Sequence, residues 1–205
     1  MILDKYKNNI KNNKVFFAKN IAADLFKWGE LERLLNLRPF VNDNRLTIIS
    51  HKAYRWLDTS GWLTDVNTYP AHILNKEIRR HVCYLRDCSR VNEKINSLCS
   101  ELEKITRMPT DAHIYFSMKE KYTDVSGFSR HNDQNYNLII CSEGTMQIQV
   151  WEKDKEHIFE LENGDGVYIP KEVDHQINPH SKRISISFAM SDNSKIMQTR
   201  DWIIL

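Results

Sequence analysis

The sequence predicts a mostly β fold, a small antiparallel jelly roll with a helical layer at its N-terminal side. Three observations predict it. Near Pro109 the spacing of apolar residues changes from helical steps to strand alternation. The strand-like segments after Ala112 are short and divided by turn signals at intervals suited to a sandwich or barrel. The chain has 205 residues, enough for one domain with a proper core and too few for two full-sized domains without a clear linker, and none is visible. Residues 1–108 therefore read as a mainly helical layer and residues 109–205 as the barrel, together one structural unit.

In the first half, Ile21, Leu25, Leu31, Leu34 and Leu35 form a broken apolar stripe. Val91, Ile95, Leu98, Leu102 and Ile105 fall at steps of three and four over nearly four turns, the pattern of a helix packed on a core. Between them, residues 45–50 form a short strand rich in β-branched Thr47, Ile48 and Ile49. In the second half, strands are predicted at residues 113–118, 136–141, 146–151, 157–161, 166–169, 175–178 and 183–190. Ser142-Glu143-Gly144, Asn163-Gly164-Asp165-Gly166 and Asn178-Pro179-His180-Ser181 supply the turns.

Composition excludes several classes. Apolar residues make up 41% and charged residues 27% of the chain, as in ordinary folded proteins. The net charge is +2, with basic residues scattered except for Lys5, Lys7, Lys11 and Lys14. Tyr6 is the only aromatic among those lysines and no arginine cluster accompanies them, so the segment reads as solvated and partly frayed, and nucleic acid is not an expected partner. Residues 1–20 hold no apolar stretch of signal-peptide length and no 18 apolar residues run uninterrupted, so a cytoplasmic location without a membrane partner is expected. Cys83, Cys88, Cys99 and Cys141 follow neither a zinc nor a disulfide pattern and read as reduced packing residues.

The chemistry concentrates on three residues. His131 and Asp133 are two apart, so on an extended backbone both side chains leave the same face and can reach one metal ion. His175 can supply a third vertex. Two imidazoles and a carboxylate on one octahedral face suit Fe(II) and leave sites open for a bidentate co-substrate and dioxygen. With eight histidines in the chain, roughly one His-x-Asp or His-x-Glu pair is expected by chance. Context raises this pair above chance: it precedes a strand, and His175 follows a Gly-rich turn and a short apolar strand ending at Pro170. The bland alternatives are a loop histidine at 131 and a solvent-facing hairpin histidine at 175. His51, His72, His81, His157 and His180 lack such a setting and read as structural or exposed. His113 carries a reservation because Asp111 stands two residues before it, while Tyr115 and Ser117 share its face and offer hydrogen bonds.

Eight residues past His175, strand alternation places Arg183, Ser185 and Ser187 on one face and Ile184, Ile186 and Phe188 on the other. An arginine inside a barrel is costly unless it meets an anion, and its planar fork suits the far carboxylate of a dicarboxylate, with Ser185 adding a hydroxyl. This points to 2-oxoglutarate. The alternative is a water-exposed arginine on an edge strand beside Lys182.

The run Ser126-Gly127-Phe128-Ser129-Arg130-His131-Asn132-Asp133, then Glu143-Gly144, then residues 163–175 from Asn163-Gly164-Asp165-Gly166 to Val173-Asp174-His175, resembles the cupin-like JmjC oxygenases. Trp28-Gly29-Glu30-Leu31-Glu32-Arg33 is similar to the first helix of that group, and residues 98–118 to the helix leading into its first barrel strand. The resemblance implies a double-stranded β-helix and an Fe(II)- and 2-oxoglutarate-dependent hydroxylase that uses O2. Its relatives include asparaginyl and ribosomal-protein hydroxylases, and its metal ligands would be His131, Asp133 and His175. It also implies that Asn137 lies near the co-substrate; Tyr115 is counted with Arg183 and Ser185 as a further co-substrate contact. Two residues past Gly144 many members carry a lysine or arginine that grips the co-substrate, where this chain has Met146. Arg183 followed by Ser185 is similar to the anchor of other 2-oxoglutarate oxygenases, so the role moves there. The C-terminal dimerisation and winged-helix regions of the ribosomal hydroxylases are not expected within this chain.

The expected function is hydroxylation of a C–H bond in a peptide or protein side chain or a small amino-acid-like substrate. Retention of Asp133 argues against halogenation. The alternative, supported by Met146, is a non-redox metal-binding cupin that binds, isomerises or cleaves a small molecule.

Overall fold

Along Arg183–Met190 the side chains alternate between two environments, and that alternation organises the architecture. Ile184, Ile186, Phe188 and Met190 point to one apolar core, whereas Arg183, Ser185 and Ser187 point into a barrel. The computed structural model describes residues 2–37, 45–49, 54–55, 71–119, 128–153, 155–179 and 181–192. Its strands are β1 (Phe16–Ala18), β2 (Leu46–Ile49), β3 (Tyr54–Arg55), β4 (Val82–Leu85), β5 (Thr110–Ser117), β6 (Tyr136–Glu143), β7 (Met146–Glu152), β8 (Lys155–Leu161), β9 (Gly166–Ile169), β10 (Asp174–Pro179) and β11 (Arg183–Met190). Its helices are α1 (Lys7–Lys11), α2 (Trp28–Leu35), α3 (Ala71–Glu77) and α4 (Glu93–Thr106).

Two antiparallel sheets result, ordered β1-β9-β6-β11-β5-β4-β2-β3 and β10-β7-β8. This is the predicted jelly roll, a double-stranded β-helix. One face of the larger sheet, with Ala112, Ile114, Phe116, Leu138 and Ile140, packs on Ile95, Leu98, Cys99, Leu102 and Ile105 of α4. Each fully buried isoleucine, leucine or phenylalanine among them contributes about 1.5–3 kcal/mol. The opposite face closes one end of the barrel, where Ile139, Val167 and Ile169 meet Met146, Ile148, Val150 and Leu161 of the smaller sheet. At the β6–β7 turn Gly144 has φ +81°, and an added Cβ would run into the carbonyl of Lys182, so only glycine suits the turn.

The structure adds to one expectation and corrects two. Residues 1–108 hold α1, α2, α3 and α4 and also contribute β1, β2, β3 and β4, half of the larger sheet. Of these only β2 is visible as a sequence pattern. All four residues of β4 are buried, so the strand lacks the alternation that marks a half-exposed one. The stripe from Ile21 to Leu35 is helical only from Trp28; Asn20 and Asp24 adopt positive φ, at 47° and 55°, and turn the chain before it. The lysine-rich segment is anchored. Leu3 and Ile10 are buried, Glu101 accepts from the N–H groups of Ile2 and Leu3 at 3.1 and 2.6 Å, and Tyr6 stacks on Phe16.

All four cysteines are buried, in keeping with packing roles. Burial pushes the Cys141 thiol up to about 11, against the opposing field of Arg183.

Asn92 ties the helical layer together. Its side chain caps α4 by accepting from Ile95 N–H at 2.8 Å and donates to the Leu25 carbonyl at 3.1 Å and to Glu30 at 2.8 Å, linking α4 to α2. Asn92→Ala is expected to lower the unfolding free energy by about 1–2 kcal/mol in urea denaturation. Asn92→Asp, which keeps the cap but loses both donations, should recover only part of it.

Candidate metal centre

Reciprocal backbone hydrogen bonds fasten residue 131 to β10: His131 N–H donates to the His175 carbonyl at 3.1 Å, and His175 N–H returns a bond at 2.7 Å. From that pairing the side chains alternate. Arg130 and Asn132 turn outward and donate to Asp174 at 2.8 and 2.9 Å, which hold its carboxyl below the usual range, the Asn132 bond most strongly. His131 and Asp133 turn inward together.

Each imidazole is oriented by its own local backbone. His131 Nδ1 lies 2.7 Å from the Ser129 carbonyl and His175 Nδ1 lies 3.0 Å from the Val173 carbonyl. A carbonyl only accepts, so both rings carry the proton on Nδ1 and present the Nε2 lone pair inward. His175 Nε2 is 3.6 Å and His131 Nε2 is 3.9 Å from the Asp133 carboxylate, and the ligand atoms of all three residues lie within 4.8 Å of one another. Burial, opposed by the Val173 carbonyl and reinforced by His131, lowers the pKa of His175 and keeps it a neutral donor. Two imidazoles, each with its second nitrogen committed to a carbonyl, and one carboxylate suit a divalent transition metal.

Asp133 is held from both ends. Its carbonyl accepts from Glu172 N–H at 2.8 Å, and its carboxylate accepts from Asn137 Nδ2 at 2.8 Å. Ser187 in turn donates to Asn137 Oδ1 at 3.0 Å. These contacts place Asn137 behind the carboxylate rather than loose in the cavity.

The three donors line a cavity of about 530 Å³ that also receives Tyr115, Arg183 and Ser185. Arg183 is only 2% exposed on a strand flanked by β5 and β6, so the edge-strand alternative does not hold. Its Nη1 donates to Ser185 Oγ at 2.5 Å and lies 3.7 Å from Met146 Sδ. Of the other histidines, His113 faces the cavity and pairs with Asp111 at 3.4 Å, His81 pairs with Glu77 at 3.2 Å, and His157 stacks on Phe159. His72 lies on α3 and is exposed; His51 and His180 lie outside the described residues.

Sequence reasoning missed Tyr84, Arg86 and Phe128, which also line the cavity. Tyr84 and Arg86 belong to β4 and its exit, the strand without alternation. Phe128 stood in the quoted run before His131 without a role.

No protein-family model matches the chain, and no curated protein matches it. Solved structures do. A structure of the Escherichia coli ribosomal oxygenase YcfD with cobalt and 2-oxoglutarate aligns over 89% of this chain at 18% identity with a TM-score of 0.60. One with cobalt and succinic acid gives the same identity, coverage and score, and a further E. coli YcfD structure aligns over 93% at 15% identity with a TM-score of 0.62. This chain has the YcfD fold. It spans about half the length of those chains, 49–53%. Among the described residues no helix is long and apolar enough to cross a membrane.

Because Asn137 orients the Asp133 carboxylate, Asn137→Ala is expected to weaken Mn(II) binding about 10–100-fold in calorimetric titration, the usual effect of losing a partner of a ligand, with an unchanged circular dichroism spectrum.

Proposed function

We propose that this chain is an Fe(II)- and 2-oxoglutarate-dependent dioxygenase that hydroxylates a C–H bond of a peptide or protein side chain or of a small amino-acid-like substrate. The observation that carries the proposal is the convergence, in one cavity, of the His131, Asp133 and His175 donors with a buried arginine. The binding of cobalt and 2-oxoglutarate by YcfD, which shares the fold, supports it.

His131, Asp133 and His175 would hold the iron. With the iron and 2-oxoglutarate bound, O2 would supply the oxidising equivalents for C–H hydroxylation and 2-oxoglutarate the other two electrons as it loses CO2. The remaining work belongs to side chains. The Ser129 and Val173 carbonyls aim the imidazoles by holding each Nδ1, while Asn137 fixes the carboxylate. The apolar end of the barrel, with Ile148 and Val150 fully buried, excludes water below the site and strengthens the electrostatics above it.

Arg183 would grip the far carboxylate of 2-oxoglutarate, with Ser185 beside it. Met146, which occupies the position where the resembling family carries its basic residue, touches the Arg183 guanidinium. The positive charge of Arg183 would thus serve the same part of the barrel from β11 instead of β7, which supports the oxygenase reading over a non-redox cupin.

His131→Ala, Asp133→Ala and His175→Ala are each expected to abolish iron binding or turnover while leaving the fold intact, as measured by iron content after anaerobic loading and by 2-oxoglutarate decarboxylation. Wild-type-like decarboxylation in any one of them would remove the triad. Arg183→Ala removes a charge-assisted contact in a buried site, where truncation costs roughly 2–5 kcal/mol, so 2-oxoglutarate affinity should fall by tens to thousands of times with iron binding retained. Arg183→Lys keeps the charge without the planar fork and should fall between.

A further inference from the structure

The cavity contains a second arginine that neither the metal donors nor the co-substrate anchor employs. Arg86 follows β4 directly, and its Nη2 donates to Thr47 Oγ1 at 3.2 Å and to the Tyr84 hydroxyl at 3.0 Å. Its guanidinium also lies 5.3 Å from the Tyr84 ring centroid. All of these partners are neutral, and both hydrogens of Nη2 are committed, leaving Nη1 and Nε for an outside acceptor. Among the described residues Asp133 is the only carboxylate lining the cavity, and it belongs to the metal donors. A guanidinium held in a concave site with no counter-charge among the described residues suits an anion.

The two arginines are drawn apart. Arg86 is held toward β2 by Thr47, whereas Arg183 is held toward β7 by its contact with Met146. Arg183 pairs with Ser117 and Leu85 with Ile114 on the shared neighbour β5, which puts Arg86 about four residues, roughly 13 Å, from Arg183 along that strand. Between Arg86 and the metal donors runs a line of rings. Tyr84 and Tyr115 stack at 5.1 Å across the β4–β5 ladder, Phe128 meets Tyr115 edge-on at 6.4 Å, and Phe128 lies 5.4 Å from the His131 ring. A ligand whose acid met Arg86 would lay its body along these rings and extend toward His131.

We propose that Arg86, with the Tyr84, Tyr115 and Phe128 rings, forms the subsite for the substrate that is oxidised and selects a carboxylate carried on an apolar or aromatic segment, such as the acid group of an amino acid or peptide. The proposal rests on the oxygenase reading for the meaning of the subsite, but its test does not depend on turnover.

The test is calorimetric titration of the Mn(II)- and 2-oxoglutarate-loaded protein with 3-phenylpropionate and with 3-phenylpropionamide, which has the same shape and no charge. The acid should bind about tenfold or more tightly than the amide, as expected for a charge-assisted fork. Arg86→Gln should bring the acid down to the amide, and Arg86→Lys should leave an intermediate preference. Arg86→Gln should also retain the parent affinity for 2-oxoglutarate, whereas Arg183→Lys should lose co-substrate affinity and keep the acid preference. An acid preference that survives Arg86→Gln, or that vanishes in Arg183→Lys, overturns the subsite, as does failure of both probes to bind. Loss of 2-oxoglutarate affinity in Arg86→Gln overturns it too, by making Arg86 a co-substrate residue. Should the parent protein bind no 2-oxoglutarate, the oxygenase reading falls, and the acid preference with Mn(II) alone still decides the subsite through its dependence on Arg86.

Discussion

Two backbone hydrogen bonds between His131 and His175 carry the geometry of the site. They join a segment outside the regular sheets to the end of β10, and by fixing the phase of that segment they decide which side chains face inward. A slip of one residue would send Arg130 and Asn132 into the cavity and His131 and Asp133 out to Asp174, because the side-chain period of an extended chain is two. The outward contacts of Arg130 and Asn132 with Asp174 oppose that slip. So does the bond from Glu172 N–H to the Asp133 carbonyl.

Once the phase is set, polarity can be buried at tolerable cost. β11 carries a file of polar groups through the barrel, Arg183 bonded to Ser185 and Ser187 bonded to Asn137, which is bonded to Asp133. Buried polar groups left unsatisfied cost about 1–3 kcal/mol each, and satisfied networks hold their members in one arrangement. On its other face the same strand is wholly apolar, with Ile184, Ile186 and Phe188 packed into the helical core. One strand thus separates a dry core from the reactive cavity.

Legibility in the sequence follows from these physical circumstances. β9 and β11 agree with their predicted limits, Gly166–Ile169 and Arg183–Met190, because each is bounded by clear turn or charge signals and β11 alternates in chemistry. His131, Asp133 and His175 are legible because spacing two on an extended chain has only one consequence. The first half is less so. β4 is buried on both faces and β1 has only three residues, so neither carries a period, and the wall built on β4 could not be foreseen. The anchoring of Leu3 and Ile10 was hidden because lysines dominate the segment while a few apolar residues fix it.

The cavity has two kinds of wall, and they come from different parts of the chain. The donors and Arg183 stand on β10, β11 and the segment before β6, whereas Tyr84 and Arg86 stand at β4, whose backbone joins the barrel through its ladder with β5. Backbone ladders transmit position but are indifferent to side chains, so residues on β4 can change without displacing the donors. Tyr115 is the joint between the two walls: it lies on β5 beside β11, pairs with Ser185 on one side and stacks on Tyr84 on the other. A change at Tyr115 would therefore be felt by both the anchor and the aromatic line, whereas a change at Arg86 reaches only the outer wall. This asymmetry lets one barrel retain its metal chemistry while the wall on β4 sets which molecule is presented to it.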